Sequence, residues 1–339
     1  MSKTVKSAIQ FTIFLGLGLF LVYYAFSGLS DTEIDTVKNA FYSANYWWIG
    51  LGFIISGLSH VCRAYRWKMM LQPMNYNPSV TNSFFAVMVG YLANMAFPRL
   101  GEVSRCTILT KYEKIPFTTS FGTVVSERII DTITWLLVIS LTILFQFSVL
   151  FNFLNTNILL PLQTKFSSLL NNVALLVILA FAGISIVVTL FVFRKKILAN
   201  PLVVKITTVA KGFIDGLMSI KNLKKPGLFI LLSVLIWLGY ILVTYVSFFC
   251  MPETSTLSFG AAIAIIAFAT LAVVLTQGGI GAYPLLAMQV LLLYGVDKVP
   301  GLAFGWIIWS AQAFQNILLG FLSLILLPLL NKEKTIVNR

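Results

Sequence analysis

The sequence predicts an all-α integral membrane protein, a polytopic helical bundle with six full spans and two broken or re-entrant hairpins. The first observation is composition, since 58% of the 339 residues are hydrophobic and only 10% are charged. Soluble domains carry about 25% charged residues, so this chain cannot cover a surface that faces water. The second observation is a set of long apolar runs, and the third is a pair of apolar regions that glycine and proline interrupt.

Six apolar runs reach the length of about 20 residues that a membrane-spanning helix needs. They are residues 7–27, 46–68, 129–150, 172–193, 227–250 and 301–330. Lys3 and Lys6 precede the first run, as in a signal peptide. The run is long and no small-residue cleavage site follows it, so we interpret it as an uncleaved span.

Two further apolar regions are irregular. Residues 80–98 end at a Pro-Arg-Leu-Gly-Glu sequence, and apolar sequence resumes only at 117–128. Residues 258–276 end at the glycine-rich turn 277–281 and continue as 282–296. Because both breaks fall where a plain span would continue, we predict a re-entrant hairpin or a pair of short helices at each place.

Orientation follows from the distribution of Lys and Arg, which collect in cytoplasmic loops. Residues 194–225 are strongly basic, whereas the loop 28–45 has three acids and only one basic residue. We therefore predict that 194–225 and both termini are cytoplasmic. The same rule requires 80–128 to enter and leave from the cytoplasm, and 258–296 from outside. We attribute the net charge of +13 to this bias rather than to nucleic-acid binding.

Two spans, a broken hairpin and a further span then occur twice, with opposite orientation. The prediction is a single membrane domain over residues 1–339 with possible inverted-repeat halves, 1–150 and 172–330, as in many transporters. Residues 200–222 are amphipathic and begin with an Asn-Pro pair. We predict a cytoplasmic helix there that lies on the membrane surface, with a short helix packed against the bundle as the alternative.

The densest polar cluster surrounds the first break. Its members are Gly90, Asn94, Pro98, Arg99, Gly101, Glu102 and Arg105. The first three are four residues apart and share a helical face, which the proline and the second glycine then interrupt. The two arginines could bind a phosphate through their planar guanidinium groups, and Glu102 could hold either of them. The alternative is a cytoplasmic loop with ordinary topology-setting charges.

Glu127, Arg128 and Asp131 form a second cluster at the start of the third predicted span. The two carboxylates are four residues apart, on one helical face. Charges at the edge of a span need partners, for which we expect Arg99 or Arg105. Helix capping and snorkelling at the inner interface is the alternative.

The third cluster is the glycine-rich turn of the second break. It consists of Gln277, Gly278, Gly279 and Gly281. Such a turn can expose backbone amides, and exposed amides can coordinate an anion. We therefore expect that this turn can coordinate an anion, and we predict that regions 80–128 and 258–296 enter the membrane from opposite sides and meet.

Few residues could support catalysis or hold a metal. His60, Arg63 and Arg66 step by three near the inner end of the second span, and we interpret them as snorkelling anchors, with lipid-headgroup contact as the alternative. His60 is the only histidine and the three cysteines are far apart, so we predict no metal, disulfide or cofactor. The sequence lacks HExxH, Walker A and GxSxG motifs, so we do not expect an enzyme.

These motifs resemble the flippase-like transmembrane domain of bacterial lysylphosphatidylglycerol synthases, and the similarity covers nearly the whole chain. It is carried by Gly90-x3-Asn94-x3-Pro98-Arg99-x-Gly101-Glu102-x2-Arg105, Glu127-Arg128-x2-Asp131 and Gly278-Gly279-x-Gly281. Ala282 departs from the acidic residue that often follows the glycine turn. The resemblance implies a protein of the bacterial cell (inner) membrane that translocates or handles a phospholipid or polyprenyl-linked lipid. Because the chain ends at Arg339, we expect it to lack the soluble aminoacyl-transfer domain of the bifunctional members.

The leading hypothesis is a flippase or transporter that moves such a lipid between leaflets. The arginines expected to bind its anionic headgroup are Arg99, Arg105 and Arg128, and the acids expected to hold them are Glu102, Glu127 and Asp131. One alternative is an intramembrane lipid-modifying transferase that uses Glu127 or Asp131 as a base. Another is a non-catalytic subunit of a membrane complex. The predicted partners are membrane lipids, and the sequence indicates no oligomeric state.

Overall fold

A computed structural model describes residues 3–97, 99–154, 160 and 223–331 of the chain. Every regular element in these ranges is a helix, which confirms the predicted all-α class. Pro98, the predicted span 172–193 and the predicted amphipathic helix 200–222 lie outside the described residues. The repeat of two halves therefore stays a prediction.

Seven helices are described in the first part of the chain. They are α1 (Lys3–Ser27), α2 (Asp31–Ser43), α3 (Tyr46–Leu71), α4 (Val80–Ala96), α5 (Leu100–Glu113), α6 (Phe117–Phe145) and α7 (Phe147–Leu154). Side-chain caps mark several of their starts. The Ser30 side chain accepts a hydrogen bond from the backbone of Glu33 in a capping box, and Asn45 and Ser79 cap α3 and α4.

Five more helices are described after residue 223. They are α8 (Pro226–Ser247), α9 (Phe259–Ala269), α10 (Leu271–Leu275), α11 (Ala282–Leu292) and α12 (Lys298–Leu330). Among the described residues, three helices are long and apolar enough to cross a membrane: α6, α8 with the turn that follows it, and α12. The total of six full spans stays a prediction.

The chain divides into two compact units. One contains residues 1–142 and 219–339, and the other contains residues 143–218. All residues of the predicted polar clusters belong to the first unit. In the second unit, the structure describes the end of α6, helix α7 and Leu160.

Helices α4 and α5 form the first hairpin, and two glycines allow them to approach closely. A Cβ atom added to Gly101 would overlap the carbonyl oxygen of Gly90 and would lie 2.6 Å from Cγ of Asn94. The backbone between the helices is extended at Phe97 and left-handed at Arg99, where φ is 64°. The break predicted at this place is therefore confirmed, and the two arms run back along each other.

The returning arm of this hairpin differs from the prediction. We expected apolar residues 117–128 to return and a separate span to start at 129, but α6 is continuous from Phe117 to Phe145. The arm that returns is instead α5, whose charges had suggested a loop. The charges of Glu127, Arg128 and Asp131 do not end α6, because each finds a partner on a neighbouring helix.

The second hairpin consists of α9, α10 and α11, with its break at residues 277–281. The long helix α12 packs against both hairpins. Gly305 of α12 approaches the second one so closely that an added Cβ would lie 2.7 Å from Cα of Pro284. Gly320 of α12 approaches the first hairpin in the same way, and a Cβ added to it would lie 2.5 Å from Cβ of Leu92. Small residues at such contacts are a common way to pack membrane helices.

Gly101→Ala should destabilise the first hairpin, because its methyl group would overlap the Gly90 carbonyl. Overpacking of this kind costs about 1–3 kcal/mol, and backbone cannot move aside as a side chain can. Gly122→Ala is the matched control, since nothing lies within 4 Å of a Cβ at that position of α6. Thermal unfolding in detergent should show a lower Tm for Gly101→Ala alone. Equal Tm values for the two variants would contradict the close packing of the hairpin.

Candidate functional site

A cluster of five buried charges joins three helices in the first unit. Its members are Arg63 and Arg66 of α3, Arg105 of α5, and Glu127 and Asp131 of α6. Oε1 of Glu127 lies 3.0 Å from Nη1 of Arg63 and 3.2 Å from Nη2 of Arg66, and its Oε2 contacts Arg105. Asp131 lies 2.9 Å from Nη2 of Arg63 and 2.6 Å from Nη2 of Arg66. One carboxylate, that of Glu127, therefore binds all three arginines.

Helix geometry explains how these side chains meet. Residues three or four apart lie on one face of a helix, so Arg63 and Arg66 face α6 together, and Glu127 and Asp131 face α3. Aromatic rings and a hydroxyl complete the surroundings. The guanidinium of Arg105 lies 4.5 Å from the ring centroid of Trp67, and that of Arg66 lies 5.7 Å from that of Phe229. Arg66 also donates a 3.1 Å hydrogen bond to Ser233 on α8.

The charges of this cluster do not cancel, since three arginines meet two carboxylates. Both carboxylates are shared, so the loss of either would leave several buried arginines without enough negative charge. Burying an ion costs several kcal/mol, and only close partners offset that cost. We infer that the cluster fixes α3, α5 and α6 in one arrangement.

The interpretation of His60, Arg63 and Arg66 as snorkelling anchors is wrong. All three side chains are buried, and His60 packs against the ring of Tyr91 with 4.9 Å between centroids. Arg63 and Arg66 are three residues apart and Glu127 and Asp131 are four apart, so each pair lies on one face of its helix. This complementary spacing was the sequence signal that could have predicted their ion pairs. It was not sufficient, because periodicity does not tell which helices are neighbours.

The remaining predicted arginines lie nearer the surface. Arg128 of α6 pairs with Glu102 of α5 at 2.6 Å, and the Arg128 side chain is 46% exposed. Arg99 is exposed at the start of α5 and makes no ion pair within the described part of the chain. Arg105, in contrast, is buried and bound to Glu127. Of the three arginines predicted to bind a headgroup, Arg99 and Arg128 are therefore the ones a ligand can reach.

The two helix breaks touch each other beside Arg99. Gln277 of the second break donates hydrogen bonds of 2.7 Å and 3.2 Å to the carbonyl oxygens of Asn94 and Met95. These carbonyls belong to the last turn of α4, where the helix leaves its oxygens without partners. The Asn94 side chain in turn accepts a 2.7 Å hydrogen bond from the amide of Gly101. The expectation that the two broken regions meet is confirmed by these contacts.

The glycine-rich turn is built as predicted but uses its amides differently. Gly278, Gly279 and Gly281 all have positive φ, the conformation that favours glycine. The amides of Gly279, Ile280 and Ala282 bond to carbonyl oxygens inside the turn, at 2.7–3.2 Å. These three amides are not free for an anion, which corrects that part of the expectation.

Metal binding finds no support in the described ranges, which hold no group of three or more His, Cys, Asp or Glu side chains that could ligate a metal ion. Cys62, Cys106 and Cys250 are free thiols. The polar site therefore consists of arginines, carboxylates, amides and backbone groups.

These features define a helical membrane protein in which two broken hairpins meet beside an arginine-rich polar site. The sequence pattern of the lysylphosphatidylglycerol synthase TM region matches residues 9–320, and the chain belongs to this family. A UPF0104 membrane protein of Methanocaldococcus jannaschii is 32% identical over 106 residues, which make up 30% of this chain and 32% of that relative. The match thus spans about a third of the curated relative's length. No solved structure matches the chain.

Glu127→Gln should be the most destabilising single change in the buried cluster. It leaves three arginines facing one carboxylate, and breaking a buried ion pair costs about 3–5 kcal/mol. Arg63→Met should cost less, because two arginines and two carboxylates then remain. The control is Glu102→Gln at the partly exposed pair, where about 1 kcal/mol or less is expected. Tm measurements in detergent test this order, and a Glu127→Gln protein as stable as the control would contradict it.

Proposed function

We propose that this protein moves a lipid with an anionic headgroup between the two leaflets of its membrane. The proposal rests on the position of Arg99, which lies where the two helix breaks meet. This arginine is exposed and makes no ion pair in the described part of the chain. The substrate is a phospholipid or a polyprenyl-linked lipid, whose chains stay in the bilayer while the headgroup passes the protein.

An arginine at a broken helix is suited to a phosphate headgroup. Its planar guanidinium presents several N–H donors that match two phosphate oxygens at once. An ionised side chain within a membrane is costly and normally marks a path for ions or polar substrates. The helix break supports the same conclusion, since irregular backbone at membrane depth is tolerated where it is buried in protein or lines a wet cavity.

The Glu102–Arg128 pair supplies a second cation close to this path. Glu102 lies three residues after Arg99, on the first turn of α5, and its partner Arg128 is nearly half exposed. A phosphate that arrives at Arg99 can compete with the Glu102 carboxylate for Arg128. The carboxylate compensates the arginine while the site is empty, so a headgroup can bind and leave without stranding a charge.

The buried cluster acts as the support for this site. Arg105 and Glu127 hold α5 against α6 from the inside, while Glu102 and Arg128 join the same two helices nearer the surface. Arg105 therefore positions α5, and the headgroup contact belongs to Arg99 and Arg128.

The alternative of an intramembrane transferase needs a carboxylate that can accept a proton from a substrate. Glu127 is fully buried and Asp131 nearly so, and both are bound by arginines. Neither is placed to reach a lipid. These contacts favour transport over the transferase alternative.

Arg99→Ala should slow lipid flipping about 10- to 100-fold, since a charge-assisted hydrogen bond contributes about 1.5–3 kcal/mol. Arg99→Lys should recover only part of the rate, because the ammonium lacks the planar fork. The measurement is the quenching of fluorescent phosphatidylglycerol and fluorescent polyprenyl phosphate in reconstituted vesicles. Fluorescent phosphatidylcholine reports on selectivity for net negative charge.

Lys224→Ala is the matched control, an exposed basic residue before α8. It should flip lipid like the unmodified protein. Folding of each variant is checked by its Tm and by its elution as a single species. Normal flipping by folded Arg99→Ala protein would refute the proposed headgroup role.

A further inference from the structure

Helix α5 differs from the other hairpin helices in its charge. Helices α4, α9, α10 and α11 contain no Asp, Glu, Lys or Arg. Helix α5 contains Glu102, Arg105, Lys111 and Glu113 within its fourteen residues. Arg105, Glu102 and Glu113 have partners inside the protein, whereas Lys111 is exposed and makes no ion pair in the described part of the chain. The exposed face of α5 therefore needs its own explanation.

The exposed residues of α5 and its two ends form one continuous stripe. They are Arg99, Leu100, Val103, Thr107, Thr110, Lys111 and Lys114. At about 100° per residue these positions fall within one-third of the helix circumference. Five of the seven side chains are polar and three of these are cationic, whereas Leu100 and Val103 are apolar. The two acids of α5 lie outside this stripe: Glu102 is held by Arg128, and Glu113 accepts hydrogen bonds from the Ser79 amide and the Asn82 side chain.

The stripe has the right length to connect the membrane surface with the helix break. From Arg99 to Lys114 the helix rises about 22 Å, at about 1.5 Å per residue. The hydrocarbon core of a bilayer is about 30 Å thick, so the stripe can extend through most of it. The charge distribution predicts that the Lys114 end is cytoplasmic. At that end the ammonium of Lys111 lies 5.0 Å from the ring centroid of Tyr112, and Lys114 donates to the carbonyl of Lys111.

The threonines alone would not distinguish a helix face that contacts lipid from one that contacts water. Thr107 and Thr110 donate hydrogen bonds to the carbonyls of Val103 and Cys106, so lipid could tolerate their hydroxyls. Lipid tails cannot compensate the positive charges on the same face. A row of hydroxyls between cations is suited to a hydrated anion that moves along it.

We propose that this stripe is the track along which an anionic lipid headgroup travels between the inner membrane surface and Arg99. Lys111 and Lys114 form its entrance, and the phosphate of the headgroup is the group they bind. This inference rests on the proposed function, and it adds the route and the residues of first contact. The lipid tails remain beside α5 in the bilayer, so no closed channel is required.

Cysteine labelling tests the track without any transport assay. In a background without Cys62, Cys106 and Cys250, single cysteines replace Thr107 and Thr110. A charged methanethiosulfonate reagent reacts with thiolate, and thiols ionise in water far more readily than in hydrocarbon. Added to the cytoplasmic side, it should label both positions at least about tenfold faster than the controls.

The controls are Phe321→Cys and Ile325→Cys on α12, whose native side chains are 55% and 58% exposed. These positions are as accessible as the track but lie on an apolar face. An additional cysteine at Asp35 of α2, in the acidic segment 28–45 that the charge distribution places outside, should react only from the opposite side. Labelling of positions 107 and 110 as slow as that of positions 321 and 325 would overturn the track.

The entrance is tested by Lys111→Ala/Lys114→Ala. The flipping rate of phosphatidylglycerol should fall at least about fivefold when the lipid is dilute and should recover as its fraction rises, as expected for weaker capture. Lys224→Ala/Lys225→Ala removes two other exposed lysines and should leave the rate unchanged. Equal flipping rates in the two double variants would show that Lys111 and Lys114 do not form an entrance.

The outcomes separate this inference from the proposed function. Flipping that depends on Arg99 together with an unreactive stripe would refute the track and leave the transport function intact. A reactive stripe in a protein that flips neither phosphatidylglycerol nor polyprenyl phosphate would refute the proposed function itself.

Discussion

The carboxylate of Glu127 is the group on which the rest of the site depends. It is completely buried in α6 and binds Arg63 and Arg66 from one side and Arg105 from the other. Without it, the returning arm of the first hairpin would lose its buried ion pair with α6. Because a buried arginine is stable only beside negative charge, the helices around Glu127 can slide little without exposing a charge to apolar surroundings. The break at Arg99 therefore lies next to a rigid support.

The two hairpins are alike in shape and unlike in chemistry. The second break closes on itself through backbone hydrogen bonds and touches the first through Gln277. The first break carries the exposed arginine, and its returning arm α5 carries the exposed lysines. Such asymmetry suits a protein whose substrate is anionic and is captured at one membrane surface. The neutral second hairpin would then complete the path without holding the headgroup tightly.

Membership in the lysylphosphatidylglycerol synthase TM family agrees with a membrane domain that handles lipids, while the identity of the lipid depends on the polar site. The exposed polar groups of the returning arm α5 are cations and hydroxyls, and its two carboxylates already have partners: Glu102 binds Arg128, and Glu113 accepts hydrogen bonds from Ser79 and Asn82. This balance favours a phosphate-bearing headgroup over a cationic one. It also separates two roles among the arginines: Arg63, Arg66 and Arg105 hold helices together, whereas Arg99 and Arg128 are available to a ligand.

The sequence by itself determined the helical membrane class, both helix breaks and the need of Glu127 and Asp131 for cationic partners, because hydropathy and helical periodicity are local properties. It predicted Arg105 as one of these partners, together with Arg99 as the other candidate, but it missed Arg63 and Arg66. Arg63 and Arg66 looked like interface anchors, and α5 looked like a loop, since charge in one dimension does not distinguish a solvated side chain from one that is paired in the interior. Only the tertiary structure decided these points. An ion pair depends on which helix faces lie against each other, and the partners here are about 60 residues apart in the chain.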